Sequence, residues 1–123
     1  MTILEAINRV DTTKPNSYTQ PEKVDWLSTL DGVIKSEIID THEDGEAVVF
    51  KGYDEDTSLD TVLLVPAPFD DVYIRWLEAR IDYANGEYNK YNNSMTAYND
   101  AYELYANHYN RKHMPKGKTF KFF

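Results

Sequence analysis

Residues 74–109 read IRWLEARIDYANGEYNKYNNSMTAYNDAYELYANHY. Within them Ile74, Leu77, Ile81, Ala84, Tyr88, Tyr91, Met95, Tyr98, Tyr102, Tyr105 and Tyr109 recur at alternating steps of three and four. That spacing sets all of them on one stripe of an α-helix. The phase does not slip, so it predicts one long helix, straight or bent, from Asp71 to Lys112. Asn85-Gly86 and Asn92-Asn93-Ser94 are poor in helix formers and mark where a break would fall. Unbroken, the helix would be about 63 Å long at 1.5 Å per residue. A compact chain of this size has a radius of gyration near ~14 Å. The helix therefore either projects to meet another subunit or breaks.

From Tyr88 onward the stripe is almost wholly tyrosine. A phenol buries a large ring yet keeps a hydroxyl that wants a partner or water, which suits a protein interface. The plainer reading packs these rings against the chain's own first helices. Those helices, however, carry aliphatic faces about large enough to cover Ile74 to Ala84 with Tyr73 and Trp76, and not the tyrosine half as well. Tyr88, Tyr91, Met95, Tyr98, Tyr102, Tyr105 and Tyr109 are accordingly predicted to form a subunit interface.

Upstream, Thr2 with Glu5 and Thr19 with Glu22 both have capping-box spacing. The first opens a short amphipathic helix through Ile3, Leu4, Ile7 and Val10, and the second a helix from Gln20 to about Thr41. Gly32 inside it suggests the close approach of another helix. Asp44-Gly45 signals a turn, and the runs Ala47–Phe50 and Thr61–Val65 can pair as a short β-hairpin across the acidic loop Tyr53–Asp60. Pro66 and Pro68 end that region, and Asp70 is placed to cap the long helix, with Asp71 in its first turn. The fold class is mainly α: a small helical bundle with one long C-terminal helix. Residues 1–113 make the helical body and residues 114–123 a basic, aromatic tail.

The chain has 123 residues, no cysteine and a formal charge of −8. One domain is the expectation at this length. The absence of cysteine removes disulfides and thiolate chemistry. No run approaches the roughly 18 apolar residues of a membrane span, and Met1–Val10 lacks the features of a signal peptide. All 21 acidic residues lie in positions 1–103, with eight basic ones; positions 104–123 hold five basic residues and no acid. An acidic body disfavours wrapping of nucleic acid, whose phosphates need a basic face. Oppositely charged ends favour head-to-tail contacts between copies, which close into rings when the rotation allows. A solvated tail that binds nothing is the bland alternative.

Catalytic, cofactor and metal motifs are all incomplete, so none of these sites is assigned. Asp54, Asp56, Ser58 and Asp60 alternate like a calcium loop, but Leu59 and Val65 stand where its glycine and bidentate glutamate belong. Lys116-Gly117-Lys118-Thr119 resembles the end of a phosphate-binding loop without its first glycine or a following helix. His42, His108 and His113 read as surface or helix-end residues. No carboxylate pair has apolar flanks that would raise a pKa for acid catalysis, and no serine sits in a nucleophile elbow. The expectation is a protein that is not an enzyme.

Tyr53-Asp54-Glu55-Asp56-Thr57, Leu63-Leu64-Val65-Pro66, Ile81-Asp82-Tyr83, Tyr91-Asn92-Asn93-Ser94-Met95 and Tyr109-Asn110-Arg111-Lys112-His113-Met114-Pro115 together resemble small phage and prophage proteins of Gram-positive bacteria. These are similar to head-tail connector (adaptor) proteins. The resemblance implies a virion protein, assembled in the host cytoplasm, that docks as a homo-oligomeric ring on the portal and joins it to the stopper or tail. DNA would pass through the lumen without being read. It also implies monomers until the portal recruits them, with an ordering tail as docking device: Arg111, Lys112, Lys116, Lys118, Phe120, Lys121, Phe122 and Phe123. The alternative is a small regulatory or binding protein that dimerises through the tyrosine-lined helix and has no part in virions.

Overall fold

Two threonines start the first two helices. The Thr2 hydroxyl accepts from the Glu5 N–H at 3.2 Å while the Thr2 N–H donates to the Glu5 carboxylate at 2.9 Å. Thr19 and Glu22 repeat the exchange, so each helix start has two of its free N–H groups satisfied locally. The computed structural model describes residues 1–116. It is mainly helical, with α1 (Ile3–Thr13), α2 (Gln20–Glu37), α3 (Asp71–Ala84) and α4 (Tyr88–Lys112). Short 3-10 turns at Ile39–Thr41 and Gly45–Ala47 follow α2, which therefore ends earlier than its apolar spacing suggests.

The long helix breaks at the first of its two weak points. Gly86 takes a left-handed conformation, φ +73°, which a side chain disfavours and glycine adopts freely. Asn85, Gly86 and Glu87 donate back to Ile81, Tyr83 and Asp82 carbonyls, and the chain reverses. Trp76 lies against Tyr98 and Tyr83 against Tyr91, with ring centroids 5.0 and 5.1 Å apart. Residue numbers across the pair thus sum to a constant, as in an antiparallel helical hairpin. The continuous reading fails because a projecting rod would leave the stripe in water, whereas the fold-back buries it. The phase survives because both halves face one core across a three-residue connection.

α3 is central and touches all three other helices. Its core face carries Val72, Tyr73, Leu77 and Ile81, packed with Ile3, Ile7 and Val10 of α1 and Val24, Leu27, Leu30 and Ile34 of α2. Asp31 is fully buried in this core. Its carboxylate accepts from the hydroxyls of Tyr53 (2.5 Å) and Tyr73 (2.6 Å) and from the Leu64 N–H (3.1 Å). Those bonds tie the irregular residues 48–70 onto α2 and α3.

The predicted β-hairpin does not form, and among the described residues only two isolated bridges occur. Thr61–Val65 turns instead to the start of α1. The Ile3 and Leu4 N–H groups donate to Thr61 and Leu59 carbonyls, and Thr2 bridges Val62. Satisfying the open end of a helix outweighs pairing with Ala47–Phe50. Gly32 is approached by the Phe50 ring rather than by a helix. Asp70 stands at the N-cap position of α3 and its carbonyl accepts from the Tyr73 N–H, but its side chain does not cap the helix; the carboxylate lies 3.8 Å from the Met1 amine. At Gly45 a Cβ would come within 2.3 Å of the Ile39 carbonyl oxygen, so the tight turn there requires glycine.

Candidate interface: the two ends of the helical hairpin

The fold-back divides the tyrosine stripe. Tyr98, Tyr105 and Tyr109 are buried in the chain's own core. This corrects the expectation that they remain for another subunit: His42, the turn through Val48 and Phe69, absent from the count of aliphatic faces, supply the cover. Phe69 lies 6.0 Å from Tyr105, and the buried His42 ring 4.8 Å edge-on to Tyr109. Tyr91, Met95 and Tyr102 are half-buried, the Tyr102 hydroxyl donating to Glu37 at 2.7 Å. Only Tyr88 stands well exposed, at 61%. Burial, then the Glu37 charge, pushes the Tyr98 phenol up to about 12. Tyr105 is likewise held at about 12, chiefly by burial.

At the elbow, the hairpin bend gathers an aromatic cluster that the stripe alone does not reveal. The Arg80 guanidinium lies 4.9 Å from the Trp76 ring, 5.0 Å from Tyr83 and 5.9 Å from Tyr91, within cation–π range. Its buried Nε has no hydrogen-bond partner. Tyr83, 52% exposed, meets Tyr88 edge-on at 5.9 Å. The spacings Trp76–Arg80 and Arg80–Tyr83 were the available sequence signal. Beneath the cluster, Asp82 takes an ion pair from Lys14 (2.7 Å) and a hydrogen bond from the Ser94 hydroxyl (2.5 Å). The Tyr18 hydroxyl donates to Asn85 at 2.7 Å. These bonds fix α1, α3 and α4 at the bend, so the exposed rings sit on a rigid base.

At the other end, the start of the tail is part of the body. The Glu43 N–H donates to the Met114 carbonyl (2.9 Å) and the Lys116 N–H to Thr41 (2.7 Å), around a His42–Pro115 bridge. His113 stacks on Tyr109 with centroids 3.8 Å apart, and its Nδ1 lies 2.6 Å from an Asp44 carboxylate oxygen. His42 is buried rather than on the surface, its Nδ1 donating to the Ile38 carbonyl at 2.6 Å. Arg111 and Lys112 are exposed in the last turn of α4, and Lys116 reaches Glu46 at 3.8 Å. Lys118, Phe120, Lys121, Phe122 and Phe123 lie outside the described residues.

Other candidates resolve into local structure. Asp54 accepts from the Asp56 N–H and the Thr57 hydroxyl, and the Ser58 hydroxyl from the Asp60 N–H, so the alternating acids build turns. Burial raises the Asp31 pKa, opposed by its hydrogen bonds from Tyr53, Tyr73 and Leu64; the carboxylate is sealed within the core. Among the described residues no three His, Asp or Glu side chains converge as a metal cage requires, and no helix is long and apolar enough to cross a membrane. The arrangement is suited to surface recognition by rings and charges. No family model matches the chain, and no curated protein or solved structure is significantly similar to it.

Proposed function

We propose that this chain is a structural, non-enzymatic phage or prophage protein, a head-tail connector that joins the portal to the stopper or tail as a ring. The observation that carries this reading is the sequence resemblance, made on five short segments between Tyr53 and Pro115. The position of the tail's root supports it. Residues 113–116 are bonded to the 41–46 turn, so the root of the basic, aromatic segment is held at a fixed point of the body. Arg111, Lys112 and Lys116, with Lys118, Phe120, Lys121, Phe122 and Phe123, dock on the portal. Between copies the contact falls to the elbow, where Trp76, Arg80, Tyr83, Tyr88 and Tyr91 supply the residue types that dominate interface energies. The acidic surface lets DNA pass the lumen without gripping its phosphates.

Mixing the chain with the portal protein from the same genome tests the proposal. The chain alone should elute as a monomer by light scattering and assemble into rings only with portal, and a chain lacking residues 117–123 should stay folded and fail to join. A dimer at micromolar concentration with no affinity for portal would favour a regulatory protein instead.

A further inference from the structure

Beside the root of the tail a pocket of about 330 Å³ opens between the Gly45–Ala47 turn, the Leu64–Pro66 stretch and the last turns of α4. Ile39, Val48, Leu64, Pro66, Tyr105 and Tyr109 line it, and Asp44 and His113 border it. The lining is mostly apolar, and a cavity of about 150 Å³ already holds a benzene ring. The pocket thus has the size and character to take an aromatic side chain. Two exposed acids edge it: Asp44, whose carboxylate lies 2.6 Å from His113 Nδ1, and Glu46, which draws the Lys116 ammonium to 3.8 Å.

The chain itself carries aromatic side chains within a short tether of the pocket's border. The Lys116 N–H is bonded to Thr41, and the residues that follow are Gly117-Lys118-Thr119-Phe120-Lys121-Phe122-Phe123. They interleave three phenylalanines with two lysines. Phe120 is four residues past the anchored Lys116, a reach of up to about 14 Å, and His113 on the pocket border is three residues before that anchor. We infer that this pocket binds a phenylalanine side chain of the same chain's residues 117–123, Phe120 being the first in reach, with the neighbouring lysines meeting Asp44 and Glu46. A short tether gives the chain's own segment an effective concentration in the millimolar range, which favours it over a second copy in dilute solution. The tail would then be parked on its own body until a stronger partner draws it out.

Methyl-labelled full-length protein, with the isoleucine, leucine and valine methyls assigned, tests this by nuclear Overhauser contacts. At monomeric concentration the Val48 and Leu64 methyls should show contacts to the ring of Phe120, Phe122 or Phe123. Phe120→Ser should shift the resonances of the lining residues and leave the α1–α2 core unchanged. Absence of any contact between a tail ring and these methyls would overturn the inference. So would contacts that arise only between differently labelled copies, since they would give the pocket to a neighbour. The experiment needs no portal, so a negative result leaves the connector reading standing, and a failure to bind portal leaves the pocket assignment standing.

Discussion

The two ends of the α3–α4 hairpin both carry tyrosine pairs, and these meet opposite fates. Near the C-terminus, Tyr105 and Tyr109 are enclosed by Phe69, His42 and the stacked His113. At the elbow, Tyr83 and Tyr88 keep more than half of their surface in water, although Arg80 and the Lys14–Asp82 pair hold the backbone beneath them firmly. Periodicity chooses which face of a helix is apolar. What covers that face is decided by segments far away in sequence. An interface argument built on the stripe alone therefore overcounts: the enclosed rings stabilise the subunit, and the elbow rings are the ones free to meet a partner.

Truncation should break this comparison most sharply at the enclosed end. Tyr105→Ala removes a ring that is 3% exposed and should cost about 3–5 kcal/mol, read as a lower denaturation midpoint with little change in slope. A loss under about 1 kcal/mol would mean that the ring is not enclosed. Titration sharpens the same point. Tyr98 and Tyr105 have folded pKa values of about 12 against an ordinary 10.0, so between those values the folded state holds protons that the unfolded state has released. Their contribution is present in full below pH 10 and is lost as pH rises through about 12. The ultraviolet phenolate signal should show a late component that Tyr98→Phe and Tyr105→Phe each reduce.

Smaller effects are expected at the bend. Gly86→Ala places a Cβ in open space at φ +73°, so the cost is conformational alone, about 1–2 kcal/mol, measurable as a lower melting temperature. Tyr88→Ala should change stability by less than about 0.5 kcal/mol while weakening assembly with portal; a large loss of stability would place Tyr88 in the core and remove the contrast between the two ends.

Much of the fold is legible in the sequence. The capping boxes at Thr2 and Thr19 located both early helices, and the span from Asp71 to Lys112 matches the outer ends of the α3–α4 pair. The break was legible only as a weak point, since Asn85-Gly86 interrupts helix propensity without interrupting the phase, and the burial that decides between rod and hairpin is a tertiary term. The hairpin of Ala47–Phe50 with Thr61–Val65 failed for a similar reason, because no local pattern reveals that α1 needs acceptors for the Ile3 and Leu4 N–H groups. Asp31 was likewise hidden: its partners Tyr53, Leu64 and Tyr73 come from three separate stretches. Of the interface residues expected from the stripe, Tyr88 is the one well exposed, and its neighbours Arg80 and Tyr83 off the stripe went unread.

Small-angle scattering on the isolated chain tests the central claim most directly. A helical hairpin that encloses its own tyrosines should scatter as a monomer with a radius of gyration near ~14 Å. A maximum dimension set by an unbroken helix of about 63 Å, or a dimer mass at low concentration, would contradict it.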